Sequence, residues 1–322
     1  MTRHYRNPVH PGYFADPFVV PTDDGYVAVG TGRFVGDLAF EVLRSPDLVH
    51  WEHVGGALAP LPPSLTAELG DNFWAPEVAH ADGRWWMYYS VGRDDVGHSL
   101  RVAVADEPIG PYVDCGVDLT PGERFAIDPH PFRDDDGTWY LYYARDVLEG
   151  DRVGTMLAVD VLTSMTELSG QPRAVLAPSA DWQIFRRERP MYGQVYDWHT
   201  LEGPFVCRRQ GRYVLFYSGG NWEEPTYGVS WATADSPLGP WRESTGEPLL
   251  RTVPGKVVGP GHNSVVIGPD GQDVMVYHAW DAEGTARRMF VDPLRWTPAG
   301  PVLDGPTWET ADLARVPPAP TG

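Results

Sequence analysis

Three carboxylic acids occupy equivalent positions in three segments of the sequence. Asp16, Asp128 and Glu202 each stand nine residues before a glycine that opens an aromatic or β-branched segment. If these segments are copies of one structural unit, their acids converge, and carboxyl groups that converge away from water raise one another's pKa. A protonated carboxyl beside an ionised one is the pair that hydrolyses a glycosidic bond, because one protonates the leaving oxygen and the other activates water.

Each acid has an ordinary interpretation when it is taken alone. Asp16 and Asp128 precede a proline, where an aspartate often caps a turn, and Glu202 fits a surface loop. The common spacing of the three favours the catalytic interpretation. A carboxyl separation of about 6.5–9.5 Å would predict inversion and about 5–5.5 Å retention, and the sequence leaves both outcomes open.

The same spacing recurs five times along the chain. The glycines are Gly25, Gly83, Gly137, Gly211 and Gly271. Counting nine residues back from the second and the fifth reaches Trp74 and His262. A second repeated segment, which contains an aspartate, begins 20 to 23 residues after each glycine. Five repeats with several strands each predict an all-β fold, a five-bladed β-propeller whose inner strands line a central channel.

The spacing also predicts the domain organisation. We expect blades at about residues 14–68, 72–122, 124–178, 196–252 and 257–303, within one propeller domain of residues 1–306. Residues 307–322, with several prolines, are expected to form a frayed C-terminal tail. Helices should be few, because alternation with a period of two prevails. The longest interval holds an aromatic segment at 181–199, which either forms a wall of the binding site or packs against its own blade.

Composition excludes several classes of function. The formal net charge is −19, with 44 acidic against 25 basic residues, which argues against a nucleic-acid partner. No apolar stretch is long enough to predict a membrane span, and neutral oligosaccharides fit as substrates. Cys115 and Cys207 are expected to be reduced thiols. The N-terminal segment has no apolar run typical of a secretory signal, so we expect a cytoplasmic protein. The sequence predicts no oligomeric state.

Six motifs in order along the chain resemble one enzyme family. They are Ala15-Asp-Pro-Phe, Ser45-Pro-Asp-Leu-Val-His-Trp, Asn72-Phe-Trp-Ala-Pro-Glu, Ile127-Asp-Pro-His-Pro-Phe, Glu202-Gly-Pro-Phe and Gly259-Pro-Gly-His-Asn. Together they resemble glycoside hydrolase family 43, from about residue 8 to residue 304. That family contains arabinofuranosidases, β-xylosidases and arabinanases on a five-bladed propeller.

The resemblance implies a role for each acid. Asp16 matches the family's general base, Glu202 its general acid, and Asp128 the acid that tunes and orients the donor. The family acts with inversion. An ionised Asp128 would help to keep Glu202 protonated, because a second negative charge nearby is unfavourable.

Further site residues are expected around these acids. Trp74 could stack on a sugar ring, although core packing is its ordinary role. By resemblance, Phe34 matches an aromatic residue at the pocket edge, and Arg287 matches the arginine that reaches the bound sugar and the acid. Arg288 is the competitor of Arg287, because neighbouring strand residues face opposite sides.

His262 resembles a family histidine that faces an ion on the propeller axis, often calcium, held largely through water. The resemblance therefore implies that His262 contributes to substrate binding and to a structural calcium site near the hub, with no cofactor required for the chemistry. The opposing interpretation is a hydrogen-bonded structural histidine, because calcium prefers oxygen ligands.

The favoured interpretation is an inverting glycoside hydrolase that releases terminal α-L-arabinofuranose from oligosaccharides. A β-xylosidase is the alternative with the same catalytic residues. A retaining fructan hydrolase would use Asp16 as a nucleophile, but such enzymes carry Arg-Asp-Pro where this chain has Ile127 before Asp128. A sugar-binding propeller without catalysis is the alternative from another class.

Overall fold

Each of the five repeated segments forms an antiparallel sheet around a common axis. The computed structural model describes residues 4–313, and the prediction of an all-β, five-bladed propeller is confirmed. The strands of blade one are Ala15–Thr22, Gly25–Thr31, Ala39–Ser45 and Glu52–Leu58. The strands of blade two are Asn72–Ala81, Arg84–Arg93, Gly97–Ala105 and Val113–Asp118. The strands of blade three are Ala126–Arg133, Trp139–Val147, Gly154–Ser164, Glu167–Leu168 and Arg173–Leu176.

Blades four and five follow a connecting hairpin. The strands of blade four are Gln194–Arg209, Arg212–Gly219, Gly228–Ala234 and Arg242–Glu243. The strands of blade five are Val258–Ile267, Asp273–Trp280, Arg287–Thr297 and Gly300–Leu303. A further strand, Ile184–Met191, pairs with the first part of the blade-four inner strand, and we call this pair the 184–198 hairpin. The hairpin and a parallel pairing at Gly154 and His199 join blades three and four.

The first strand of each blade is its inner strand, and the inner strands of neighbouring blades contact one another around the axis. Below the acids, Phe18, His130 and Phe205 fill the channel, with the His130 and Phe205 ring centroids 4.7 Å apart. The second strands are buried on both faces because each blade packs between two others. Their sequences are therefore nearly continuous apolar and aromatic runs, such as Trp-Met-Tyr-Tyr at positions 86–89.

All five inner strands bulge at the same point near the axis, which we call the hub position. The residue there has a positive φ and the strand pairing shifts around it. The hub residues are Asp16, Ala75, Asp128, Gly203 and His262, with φ of 50°, 47°, 59°, 55° and 49°.

The predicted register is therefore wrong by one residue in two blades. Trp74 and Glu202 precede the hub residues of blades two and four. The reason is where the glycine stands in the turn. In blades two and four, Gly83 and Gly211 lie inside two-residue turns, between the paired residues Ala81 and Arg84 and between Arg209 and Arg212. In blade one the turn is equally short, but Gly25 follows it and pairs with Thr22, and in blades three and five the turn is longer. A count of nine from the glycine therefore lands one residue early only in blades two and four.

The N–H groups of the hub residues link successive blades. Ala75 donates to Thr31 Oγ1, Asp128 to Ser90 Oγ, His262 to Ser218 Oγ, and Asp16 to His278 Nδ1. Each acceptor lies at the same place in the second strand of the preceding blade. In blade three that place is held by Ala144, which has no acceptor in its side chain, and the Gly203 N–H donates to Asp128 Oδ2 instead.

Segments near the two ends of the described chain pack on blade five. His4–Tyr5 pairs with Ala311–Asp312, and Leu313 is buried. The packed chain thus continues beyond the predicted domain end at 306 as far as Leu313, because the segment from 307 is bonded to the blade and not frayed. The remaining residues of the predicted tail, 314–322 with its prolines, lie outside the described residues.

Helices are few, as predicted. The described residues contain one α-helix, Pro63–Leu69, and one 3-10 turn, Asp181–Gln183. Neither is long and apolar enough to span a bilayer, so the described part of the chain contains no helix of that kind. Cys115 and Cys207 are unpaired, as predicted.

Candidate active site

A cavity of about 450 Å³ opens at the hub and holds the three predicted acids. It is lined by Tyr13, Asp16, Thr31, Trp74, Asp94, Asp95, Phe125, Ile127, Asp128, Asp146, Thr155, Phe185, Arg189, Met191, Thr200, Glu202, Trp222, His262 and Arg287. The convergence of Asp16, Asp128 and Glu202 follows from the bulge at or beside each of them, which turns their side chains towards the axis.

Asp16 is held in an ionised state by its neighbours. Its Oδ1 lies 3.3 Å from Arg287 Nη1, 3.2 Å from His278 Nδ1 and 3.4 Å from His262 Nδ1. Burial by itself raises the pKa of Asp16, but the charge of Arg287, helped by the two imidazoles, outweighs burial and holds the pKa well below its ordinary value. A buried carboxylate in this state can accept a proton from water.

Arg287 is fixed by aromatic neighbours. Its Nη2 donates to Tyr13 Oη at 2.7 Å, and its guanidinium carbon lies 4.4 Å from the ring centroid of Trp222. Arg288 points away and pairs with Asp281 at 2.8 Å. The choice of Arg287 over Arg288 for the pocket agrees with this geometry. Arg287 forms its ion pair with Asp16 and not with Glu202, so it contacts the predicted base and not the predicted acid.

Glu202 has the properties of a proton donor. Burial raises its pKa to about 7, although the Tyr227 hydroxyl, which donates to Glu202 Oε1 at 2.6 Å, favours the ionised form. Tyr227 is itself buried and stacks on His278 with an angle of 9° between the rings. Glu202 is therefore largely protonated below neutral pH, while Asp16 is ionised.

Asp128 lines the same cavity as Asp16 and Glu202. The pKa of Asp128 is raised well above its ordinary value, first by burial and then by the Glu202 and Asp16 carboxyls, against the effect of the Gly203 N–H that donates to Oδ2 at 2.9 Å. The expectation that Asp128 stays ionised beside a protonated Glu202 is not supported, because the same burial raises the pKa of both groups. Its bond to Gly203 fixes the backbone next to Glu202, which agrees with an orienting role.

His262 lies at the hub of blade five. Its Nδ1 faces Asp16 Oδ1 at 3.4 Å and Asp128 Oδ2 at 3.8 Å, and burial lowers the pKa of its imidazole. Among residues 4–313, no three His, Cys, Asp or Glu side chains are grouped to hold a metal ion directly. Calcium prefers about six to eight oxygen ligands, so these side chains do not form a calcium cage. The adjacent Asn263 is buried, and neither polar atom of its amide has a hydrogen-bond partner within the described chain.

Trp74 lines the cavity and has a defined backing. Its indole stacks on His98 with ring centroids 3.8 Å apart, and burial lowers the pKa of His98 to about 4, so the imidazole is neutral. One face of Trp74 is thus packed against protein, as the core interpretation required, while the residue still borders the cavity. Phe34 is not among the lining residues; it is 54% exposed and packs edge-on against Phe73.

The aromatic segment at 181–199 serves both predicted purposes. Phe185 borders the cavity, together with Arg189 and Met191 of the same hairpin. Trp198 is buried beneath the hairpin, and Trp182 stacks on Tyr217. The segment therefore forms a wall of the cavity and also packs on the blades.

Sequence reasoning missed four residues around the acids: Tyr13, Trp222, Tyr227 and His278. Tyr13, Trp222 and Tyr227 lie in loops or at strand starts without a repeated motif. His278 could have been found, because it lies near the end of the second strand of blade five, at the place where Thr31, Ser90 and Ser218 stand in other blades.

Comparison with known proteins gives concordant matches. Residues 5–302 match the family model described as Glycosyl hydrolases family 43. A β-D-galactofuranosidase from Aspergillus niger is 30% identical over 92% of this chain and 84% of that protein. An extracellular exo-α-(1→5)-L-arabinofuranosidase from Streptomyces avermitilis is 27% identical, and its match covers 71% of this chain and 47% of the relative. A crystal structure of a thermostable family-43 glycoside hydrolase superposes with a TM-score of 0.83 at 31% identity, covering 97% of this chain and all (100%) of that one.

Proposed function

The chain belongs to glycosyl hydrolase family 43 and is therefore a glycoside hydrolase, and from that premise we propose that it releases terminal α-L-arabinofuranose from oligosaccharides with inversion. The observation that carries the proposal is the opposite pKa shift of two buried acids in one cavity. The pKa of Asp16 is lowered and that of Glu202 is raised to about 7. Family membership argues against the interpretation as a sugar-binding propeller without catalysis.

In the proposed reaction Glu202 is the general acid and Asp16 the general base. Protonated Glu202 gives its proton to the glycosidic oxygen as the bond to the anomeric carbon breaks. A water molecule attacks that carbon from the opposite face and passes a proton to the Asp16 carboxylate. The products are the free sugar with inverted configuration and the shortened alcohol, and proton exchange with solvent resets both acids.

The surroundings of the acids support binding of a neutral sugar. Trp74 and Trp222 present indole rings to the cavity, and the Arg287 guanidinium can donate to sugar hydroxyls while it keeps Asp16 ionised. We assign the substrate-binding role to these three residues. His262 is proposed to contact substrate or an ion held mainly through water, with Asn263 as a second polar neighbour, and no reaction step depends on such an ion.

The proposal of an arabinofuranosyl substrate rests on relatives with that activity in their names, from Streptomyces avermitilis, Streptomyces chartreusis and Humicola insolens. The Streptomyces avermitilis relative is about twice as long as the segment matched. Its location outside the cell gives no support to the expected cytoplasmic location, which stays a prediction.

A galactofuranosyl substrate is the second candidate, because the relative that matches 92% of this chain is a β-D-galactofuranosidase. The two sugars are chemically close: α-L-arabinofuranose and β-D-galactofuranose share the ring configuration, and the hexose carries one more CHOH group on its exocyclic chain. A β-xylosidase is the third, since a Bacteroides ovatus relative is named xylosidase/arabinosidase at 25% identity.

Turnover of three 4-nitrophenyl glycosides would separate these candidates. The substrates are α-L-arabinofuranoside, β-D-galactofuranoside and β-D-xylopyranoside at equal concentration. We expect the highest kcat/KM for the arabinofuranoside. A higher value for either of the others would reassign the sugar, and absence of turnover of all three by a folded protein would contradict the proposed function.

A further inference from the structure

One part of the cavity wall comes from two distant parts of the chain. One is the turn between the second and third strands of blade two, which supplies Asp94 and Asp95. The other is the 184–198 hairpin, which supplies Phe185 and Arg189. Neither part has a role in the proposed chemistry.

An ion pair joins the two parts at the cavity. Arg189 Nη2 donates to Asp95 Oδ2 at 2.5 Å. The Arg189 guanidinium carbon also lies 4.7 Å from the ring centroid of Phe185 and 5.3 Å from that of Trp198. The Arg189 side chain is only 10% exposed while that of Asp95 is 60% exposed, so the arginine is anchored and its partner reaches into the opening. We call this pair the Arg189–Asp95 strap.

Both sides of the strap are fixed to the propeller. In the hairpin, the Tyr192 hydroxyl donates to Asp146 Oδ2 at 2.6 Å, and Asp146 belongs to blade three. In the turn, the Asp94 N–H donates to Asn72 Oδ1 at 2.7 Å, and His98 Nε2 lies 2.9 Å from the Asp94 carbonyl oxygen. The strap therefore has a defined position relative to the acids, as a binding surface requires.

The position of the wall relative to Glu202 indicates which part of a substrate meets it. One strand, Gln194–Arg209, contains both the second half of the hairpin and Glu202. A general acid lies beside the oxygen of the leaving group. A leaving sugar bonded through that oxygen would therefore lie along the wall built by the hairpin, and the sugar that is cleaved off would lie towards Asp16, Arg287 and Trp222, which line the same cavity.

We propose that the Arg189–Asp95 strap and Phe185 form the subsite for the leaving-group sugar. The inference rests on the proposed role of Glu202 as the acid. The chemistry of the subsite fits a neutral sugar: Phe185 offers an apolar ring, Arg189 has five N–H donors of which Asp95 takes one, and Asp95 offers carboxylate oxygens to hydroxyl groups. A leaving group without hydroxyls, such as a nitrophenyl ring, uses only the apolar part.

The test compares two leaving groups on the same cleaved sugar. For whichever glycosyl group the wild type hydrolyses, kcat/KM is measured on the disaccharide and on the 4-nitrophenyl glycoside, and their ratio is formed. Arg189→Met keeps an unbranched side chain between the two aromatic rings but removes the donors. We expect the disaccharide-to-aryl ratio to fall about tenfold, since a charged hydrogen bond to substrate is lost.

Asp95→Asn changes an exposed carboxylate and should lower the ratio in the same direction. The double variant should resemble Arg189→Met alone, because the two residues act as a pair. Arg212→Met is the matched control: Arg212 lies 3.7 Å from Asp235 in blade four and does not line the cavity. Its ratio should stay within about twofold of wild type.

Unchanged ratios in both Arg189→Met and Asp95→Asn would overturn the proposal. If thermal melting shows that Arg189→Met is misfolded, the ratio for Asp95→Asn decides alone. A wild-type protein that hydrolyses none of the three aryl glycosides would refute the proposed function and with it the subsite, whereas an active wild type with unchanged variant ratios refutes the subsite only.

Discussion

Arg287 Nη1 lies 3.3 Å from Asp16 Oδ1, whereas Arg288, the next residue of the same strand, pairs with Asp281 on the other side of the sheet. Two arginines with adjacent positions thus have separate tasks. Arg287 sets the charge state of the proposed base, and Arg288 binds Asp281 in the turn that follows the second strand of blade five. The pair offers a test of the electrostatics with a control built into the strand.

Arg287→Met should weaken catalysis and shift the acidic limb of the pH–kcat/KM profile. Without the guanidinium, burial dominates and the pKa of Asp16 rises, so the pH at which kcat/KM falls on the acidic side should shift upward. Arg288→Met should leave the limb unchanged. A pH–kcat/KM profile of both variants checks this, and an equal shift in the two would contradict the assigned role of Arg287.

Tyr227→Phe should shift the basic limb of the pH–kcat/KM profile to higher pH. Glu202 must be protonated to act as the acid, so activity falls as pH rises through its pKa of about 7. The Tyr227 hydroxyl stabilises the ionised form of Glu202, so its removal should raise that pKa further. A basic limb that stays in place, or that moves downward, would argue against Glu202 as the group that titrates there.

Asp16→Asn should abolish most turnover without unfolding the protein. Loss of the proposed base is expected to lower kcat roughly 10²–10⁴-fold. The hub N–H bond from residue 16 to His278 is formed by the backbone and survives the substitution. Thermal melting near the wild-type temperature with near-normal turnover would exclude Asp16 as the base.

The loss of kcat in Glu202→Gln should depend on the leaving group of the substrate. Aryl glycosides with an acidic phenol need little protonation, so their hydrolysis should fall much less than that of oligosaccharides. The measurement is kcat for both substrate types. Equal losses for the two would contradict the assignment of Glu202 as the acid.

The junction of the first and last described segments with blade five should be a main source of stability. Asp292 is buried and accepts hydroxyl bonds from Tyr5 at 2.6 Å, Tyr277 at 2.5 Å and Thr307 at 2.6 Å. Asp292→Ala leaves these buried hydroxyls without their acceptor and should lower the free energy of unfolding by about 3 kcal/mol or more. Asp304→Ala, which removes an exposed pair with Arg295, should cost less than about 1 kcal/mol. Denaturant unfolding of both variants checks the difference.

The propeller and the convergence of its acids were predictable because both depend on a repeated local pattern. The pattern failed at Trp74 and Glu202, because in these two blades the glycine lies inside a two-residue turn and so stands one residue closer to the hub than in the other blades. The partners that set the protonation of the acids were harder to predict. Tyr227 and His278 reach Glu202 and Asp16 only through packing between blades four, five and one, and such contacts carry no signal in local spacing.

For the cavity wall formed by the 184–198 hairpin, the sequence predicted the location but not the contacts. The aromatic segment at 181–199 indicated a wall, but the ion pair between Arg189 and Asp95 joins residues from different blades and could not be inferred from either segment. Phe34 shows the converse: a resemblance in motif position put it at the pocket edge, and the side chain packs on Phe73 outside the lining.

Proton NMR of the first sugar released tests the central claim most directly. The purified protein is incubated with α-1,5-linked arabino-oligosaccharides, and the anomeric signals are followed before mutarotation. Inversion by Asp16 and Glu202 predicts that β-arabinofuranose appears first. Initial release of the α anomer would show retention and contradict the assignment of Asp16 as a general base acting through water.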